Sequence, residues 1–384
     1  MTARRTILIA LALLPAAAPG VAAAAPAPLA AGSLDPAFGT GGTFFGAVPA
    51  GGEGNSSFAG VRILEDGTLG ISAFGSCAMG CGFGVQYRFA ADGRRVSEYA
   101  FPWFSEDGAE AGTGVLPLPD GGVVLGYDAT DPAAPVGHRV RVLSPSGTVV
   151  RDVALPFTFR PEAIDRRGRI RGLSGRTVAR LAADLAPDHS FGTGGRAALP
   201  GRFPAVRSVA VGGGRTYVAG RGDASVSLAT YDAAGRRTRT AHVDGIVTPE
   251  WSTSRVVVRP DRVLVAAGDV VAFRPGGAQD RAFGRGGVLR TALGGDIAVQ
   301  ADGRIVLARL ATTPSGRPPT RLLMRRVTAL GDPDPSYRRA TVRMRVGTYV
   351  QISTAVDRRG RTVAVTAGWA PGEGGAVFAR FLGR

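Results

Sequence analysis

Few residues in this 384-residue chain have the type and spacing of a reactive centre. His138, His189 and His242 fall in separate stretches, with no H-E-x-x-H or other paired spacing that would set two imidazoles on one metal. The two cysteines, Cys77 and Cys81, stand four apart in the stretch FGSCAMGCGFG. A tetrahedral zinc site needs two further ligands and no histidine is near, so in an oxidising compartment a disulfide closing this small loop is the expected state. Asp332 and Asp334 alternate with prolines, and no downstream glutamate completes a calcium loop. No G-x-S-x-G elbow, P-loop or dinucleotide fingerprint occurs. Neither a dedicated catalytic residue nor a cofactor nor a metal is expected.

What remains is a set of aromatic and acidic residues: Trp103, Glu106, Asp107, Glu110, Glu250, Trp251, Trp369 and Glu373. Aromatic platforms mixed with carboxylates suit sugars and peptides. Pairs such as Glu106 with Glu110, or Glu250 with Glu373, would also supply the acid and base of a hydrolase or lyase. Which use applies depends on the elements that position them.

Those elements repeat. Seven segments share one form, an apolar strand, a tight turn and a second apolar strand: VRILEDGTLGISAF, GVLPLPDGGVVLGY, EAIDRRGRIRGL, VAVGGGRTYVAG, VVVRPDRVLVAAG, IAVQADGRIVLAR and TAVDRRGRTVAVTAG. Their turns, at Asp66, Asp120, Arg167, Gly213, Asp261, Asp302 and Arg359, recur with a period close to 49. A second strand pair follows in most units, as in VRVLSPSGTVVRDVAL, which makes four strands per unit. One four-stranded sheet cannot bury both its faces, and radial stacking is the β-propeller solution. The expected fold is an all-β, seven-bladed propeller of four-stranded antiparallel blades. The last unit stops after three strands at AVFARFLGR, while an orphan strand, TFFGAV, opens the chain at residues 43–48, so the N-terminal strand is expected to complete the C-terminal blade.

A second motif keeps the same phase. SLDPAFGTGG (Ser33 to Gly42) returns as PDHSFGTGG (Pro187 to Gly195) and AQDRAFGRGG (Ala278 to Gly287), with a degraded copy around Tyr337. The aromatic would pack between blades, and the glycines would supply the positive backbone angles of a tight connection. With IAVQADGRIVLA, these stretches resemble the delta-60 repeat family of bacterial extracytoplasmic proteins, whose units read LDPSFGxGG, AVQPDGKIL and FALARYxxDG. The resemblance implies a secreted propeller-like array and no chemistry, because the signature residues are structural.

If strands are lettered A to D outward from the axis, the B–C and D–A loops share one rim, and all three tryptophans fall there. The other rim carries Arg94, Arg95, Arg166, Arg167, Arg236, Arg237, Arg358 and Arg359 among others and is expected to be basic. The formal charge of +16 comes from 46 arginines with no lysine, which points to GC-rich coding more than to nucleic acid, and no specific nucleic-acid partner is expected. Arg4 and Arg5, the apolar run Ile7 to Leu14 and the alanines that follow have the order of a signal peptide over residues 1–25, with cleavage between Ala24 and Ala31. No other segment approaches the roughly 18 uninterrupted apolar residues of a membrane span. The expectation is thus a secreted or envelope-associated monomer, one propeller domain over residues 26–384, that binds an extracellular glycan or protein partner or serves as a scaffold, with an extracellular hydrolase or lyase as the alternative.

Overall fold

The computed structural model describes residues 29–47, 56–76, 82–104, 110–129, 137–247, 255–291, 295–311, 321–343, 348–370 and 373–383. The signal-peptide reading and the Cys77–Cys81 pairing lie outside the described residues. Every regular element described is a β-strand, and the strands form a seven-bladed β-propeller of four-stranded antiparallel blades. Blade 1 runs outward from the axis through Ser56–Ile63, Leu69–Ser76, Gly82–Phe89 and Arg95–Phe104. The innermost strands of blades 2 to 6 are Glu110–Pro117, Arg160–Ile164, Ala205–Gly212, Arg255–Val258 and Asp296–Val299. Blade 7 comprises Thr348–Val356, Thr362–Ala370, Glu373–Phe381 and, as its outermost strand, the N-terminal Thr43–Ala47.

That last strand pairs Thr43 with Ala379 through Ala47 with Gly375, so ring closure is a sheet joint between the two ends of the chain. Innermost strands pack in succession from blade 1 to blade 7, and that of blade 7 packs back on blade 1. All seven A–B hairpins fall at the turns read from the sequence.

Seven apolar clusters hold the ring, one at each interface between neighbouring blades. The second strands are covered on both faces, which is why Val263–Ala267 is apolar and buried at every position. Outermost strands meet a neighbour on one side only, and Val149–Leu155 is largely exposed.

Two boundaries differ from expectation. The outermost strand of blade 1 continues through Trp103 to Phe104, which pairs with Ala111, so blades 1 and 2 form one continuous eight-stranded sheet. Trp103 and Glu110 are therefore strand residues and not loop residues, and so are Trp369 and Glu373 at the B–C boundary of blade 7, because antiparallel pairing persists almost to each connection.

Candidate functional site

The rim made by the B–C and D–A connections receives the starts of A and C strands and the ends of B and D strands. Trp103 is next to last in the D strand of blade 1, and Glu110 begins the A strand of blade 2. Trp369 is next to last in the B strand of blade 7, where it pairs with Thr348 and Gly374, and Glu373 begins the following strand opposite Ala370. The backbone thus brings these four positions to one rim, on blades 1, 2 and 7, which are neighbours in the ring. Glu106, Asp107, Glu250 and Trp251 lie outside the described residues.

The axis carries chemistry that sequence reasoning missed. Side chains of inner strands reach across to the inner strand of the next blade. Ser353 Oγ accepts from Val61 N at 3.1 Å, Ser208 Oγ from Val256 N at 3.4 Å, and Asp296 Oδ2 from Thr354 N at 2.7 Å. Thr113 Oγ1 donates to Phe159 O, and the Arg62 guanidinium to Pro117 O, both at 2.6 Å. Glu162 sits in a bulge of the blade 3 inner strand, accepts from the Val209 N–H of blade 4 and pairs with Arg160 at 2.8 Å. Burial pushes its carboxyl up to about 7, against the smaller opposing effects of Arg160 and that N–H. Asp296 also takes the Thr354 hydroxyl and the Arg255 guanidinium. Both axial carboxylates are therefore committed to joining blades. A strand pattern that marks them as inner-strand residues was the available signal, since Asp296 directly precedes IAVQADGRI and Glu162 opens EAIDRRGRI.

The repeated D-x-x-F motif, with Tyr337 as the aromatic in blade 6, forms the C–D connection of blades 3, 5 and 6 and, in blade 7, leads into the N-terminal D strand. Phe38, Phe191 and Phe283 are buried, and glycines 39, 192 and 284 have φ of 55°, 58° and 54°. Each of these glycines donates its N–H to the C–D turn of the following blade, at Asp92 O, Ala234 O and Leu330 O. An arginine completes the unit. Arg180 pairs with Asp188 at 2.7 Å, lies 4.7 Å from the Phe191 centroid and donates to Ala233 O of the next blade at 2.6 Å. Arg326 does the same with Asp334, Tyr337 and Gly383 O, and Arg380 with Asp35, Phe38 and Ala91 O. In blade 5, where Ala272 occupies the arginine position, Arg262 of the A–B turn supplies the guanidinium to Asp280, Phe283 and Ala329 O. These arginines are interblade staples.

The basic rim is partly neutralised by its own turns. In D-x-x-G-R the aspartate Oδ1 accepts backbone N–H groups of the turn, and Oδ2 holds the arginine four residues on, as in Asp165–Arg169, Asp232–Arg236 and Asp357–Arg361.

Two histidines are tied in place. His138 Nδ1 lies 2.8 Å from Asp128 Oδ1 and 3.1 Å from Thr158 Oγ1. Ser227 Oγ, His242 and Asp244 form a chain of two 2.8 Å contacts, because Ser227 and His242 are directly opposite in the sheet of blade 4. That order mimics a nucleophilic triad, but Ser227 is 3% exposed and the Asp244 side chain 80% exposed. A working triad needs the reverse, a reachable nucleophile and a sheltered acid. Among the described residues no group of three or more His, Cys, Asp or Glu is arranged to hold a metal ion.

No protein-family model matches the chain. No curated protein is similar to it either. Among solved structures, a protein of unknown function from Dyadobacter fermentans is similar with TM-score 0.44 and 12% identity over 89% of this chain and 100% of that one. Prolyl oligopeptidase B from Galerina marginata is similar with TM-score 0.45 and 11% identity over 83% of this chain and 48% of that one. A protein of unknown function from Bacteroides caccae is similar with TM-score 0.34 and 10% identity over 73% and 80%. Likeness at this level carries no argument about activity.

Proposed function

We propose that the chain is a secreted, non-catalytic binding or scaffold propeller that recognises a cell-envelope glycan or peptide through the rim bearing Trp103, Glu110, Trp369 and Glu373. One observation carries this reading: the axial carboxylates and the Asp–Arg–aromatic units are spent on joining blades, while the strand ends of one rim gather aromatic and acidic positions on neighbouring blades. Loops on one face of a rigid scaffold are where recognition is commonly built. The signal-peptide pattern of residues 1–25 and the resemblance to delta-60 repeats support the extracellular setting.

The test is a titration of the mature protein with peptidoglycan fragments and cell-wall polysaccharides, followed by tryptophan fluorescence. A saturable change lost in Trp103→Ala or Trp369→Ala is expected; no change with any glycan or peptide removes the reading. A hydrolase or lyase is the second reading, favoured by the Glu162 carboxyl, whose raised value lies in the range of a general acid–base group. Chromatography of the same mixtures separates the two: shortened or eliminated products that vanish in Glu162→Gln or Glu110→Gln would establish catalysis.

A further inference from the structure

We propose that the cleft between blades 5 and 6 is an anion site, in which Arg309, Arg325 and Arg339 take the phosphate or sulfate ester group of a sugar-sized ligand. The proposal uses none of the rim tryptophans or acids and does not rest on the reading above.

Strand alternation builds the site. In Arg321–Val327, the third strand of blade 6, successive side chains point to opposite faces. Arg326 goes toward blade 7 and is taken by Asp334, while Arg325 goes the other way. Arg325 is opposite Leu307 and Arg309 is opposite Leu323, so both arginines share the face whose Leu307 packs against blade 5. Arg339, just before the outer strand Ala340–Arg343, lines the same cleft. Across from them blade 5 presents Ala266, Gly268, Val270 and Thr291, side chains too small to fill the gap, and a cavity of about 260 Å³ remains. That is several times the ≈30 Å³ share of a water, which leaves room for more than a bare ion.

Among the described residues no carboxylate pairs with Arg309, Arg325 or Arg339. Asp296, on the lining, is held by Arg255 and Thr354, and Asp334 by Arg326. Burial and the like charges of Arg309 and Arg339 together push Arg325 below the ordinary guanidinium range. Arg309 and Arg325, both partly buried, and the exposed Arg339 set three like charges on one cleft, a standing cost that an anion relieves, and their planar forks match the edges of a tetrahedral oxyanion. Leu307, Leu323 and Val270 offer apolar wall to the body of the ester, and Thr291 and Thr341 line the same space.

The experiment is thermal unfolding and calorimetric titration of the full chain at constant ionic strength, with glucose 6-phosphate, glucose 6-sulfate, inorganic phosphate and glucose as probes. A saturable rise in Tm with one or both esters is expected, stronger than with inorganic phosphate and absent with glucose; the preferred ester identifies the oxyanion. Arg325→Gln is expected to weaken ester binding at least tenfold while leaving the ligand-free Tm unchanged or higher, since it relieves like-charge repulsion. Arg339→Gln, at an exposed position, provides a variant whose folding is not at stake and is expected to weaken binding as well. No saturable shift with either ester, equal affinity in both variants and the unaltered chain, or binding of inorganic phosphate as tight as of the esters would overturn the proposal.

Discussion

At the scale of single residues, arginine dominates this protein in two roles that composition does not separate. Arg180 is 1% exposed, held between Asp188, Ser190, Phe191 and a carbonyl of the next blade. Removing the acid alone strands a buried cation, so Asp188→Ala is expected to cost about 3–5 kcal/mol, read as a lower midpoint in urea unfolding. Replacing both partners, Arg180→Met with Asp188→Leu, is expected to recover at least half of that loss, because burying the charges was itself costly. Glu162 has the opposite sign. Its folded-state value near 7 lies above the ordinary 4.5, so the native state binds the extra proton between those limits and stability falls as pH rises from about 4.5 to about 7. Glu162→Gln is expected to remove about 1–3 kcal/mol of that slope, measured as the difference in unfolding free energy between pH 4.5 and pH 8. If the slope survives the substitution, this carboxyl is not its source.

At the scale of elements, the G-x-G-G connections have unequal demands on their glycines. Gly192 and Gly194 both have φ of 58°, but a Cβ on Gly192 would lie 1.9 Å from Arg196 O, whereas one on Gly194 meets nothing within 4 Å. Gly194→Ala is expected to cost about 1 kcal/mol for the backbone conformation alone, and Gly192→Ala about 3 kcal/mol or more because the connection must also shift. Chemical denaturation of the two variants side by side checks the difference. The positive-φ glycines and the D-x-x-G-R turns were legible in the sequence because a turn is a local event: the residues that require it adjoin it. The strand limits at Trp103 and Glu110 were not, because they depend on pairing between two blades.

At the scale of the whole molecule, closure depends on Thr43–Ala47. Phe44 lies 5.5 Å from both Phe89 of blade 1 and Phe378 of blade 7, so one N-terminal side chain seals the last interface. A chain that begins after Ala47 loses that ring, the fourth strand of blade 7 and the Asp35–Arg380 staple. Such a chain is expected to unfold at lower denaturant and with a smaller m-value, as the ring opens and single-step cooperativity is lost. The sequence by itself determined the number of blades, the place of each inner hairpin and the use of the first strand to finish the last blade. Those features follow from runs of apolar residues and from turn residues a few positions apart, and both are local. Only the tertiary structure decided which charges are structural. Arg325 and Arg326 are adjacent in sequence, yet Arg326 is stapled to Asp334 while Arg325 faces a cleft whose lining acid, Asp296, is held by Arg255. Asp35 and Arg380 meet from opposite ends of the chain. A guanidinium finds its partner across a blade interface, and no spacing along the chain records which blade face it will meet.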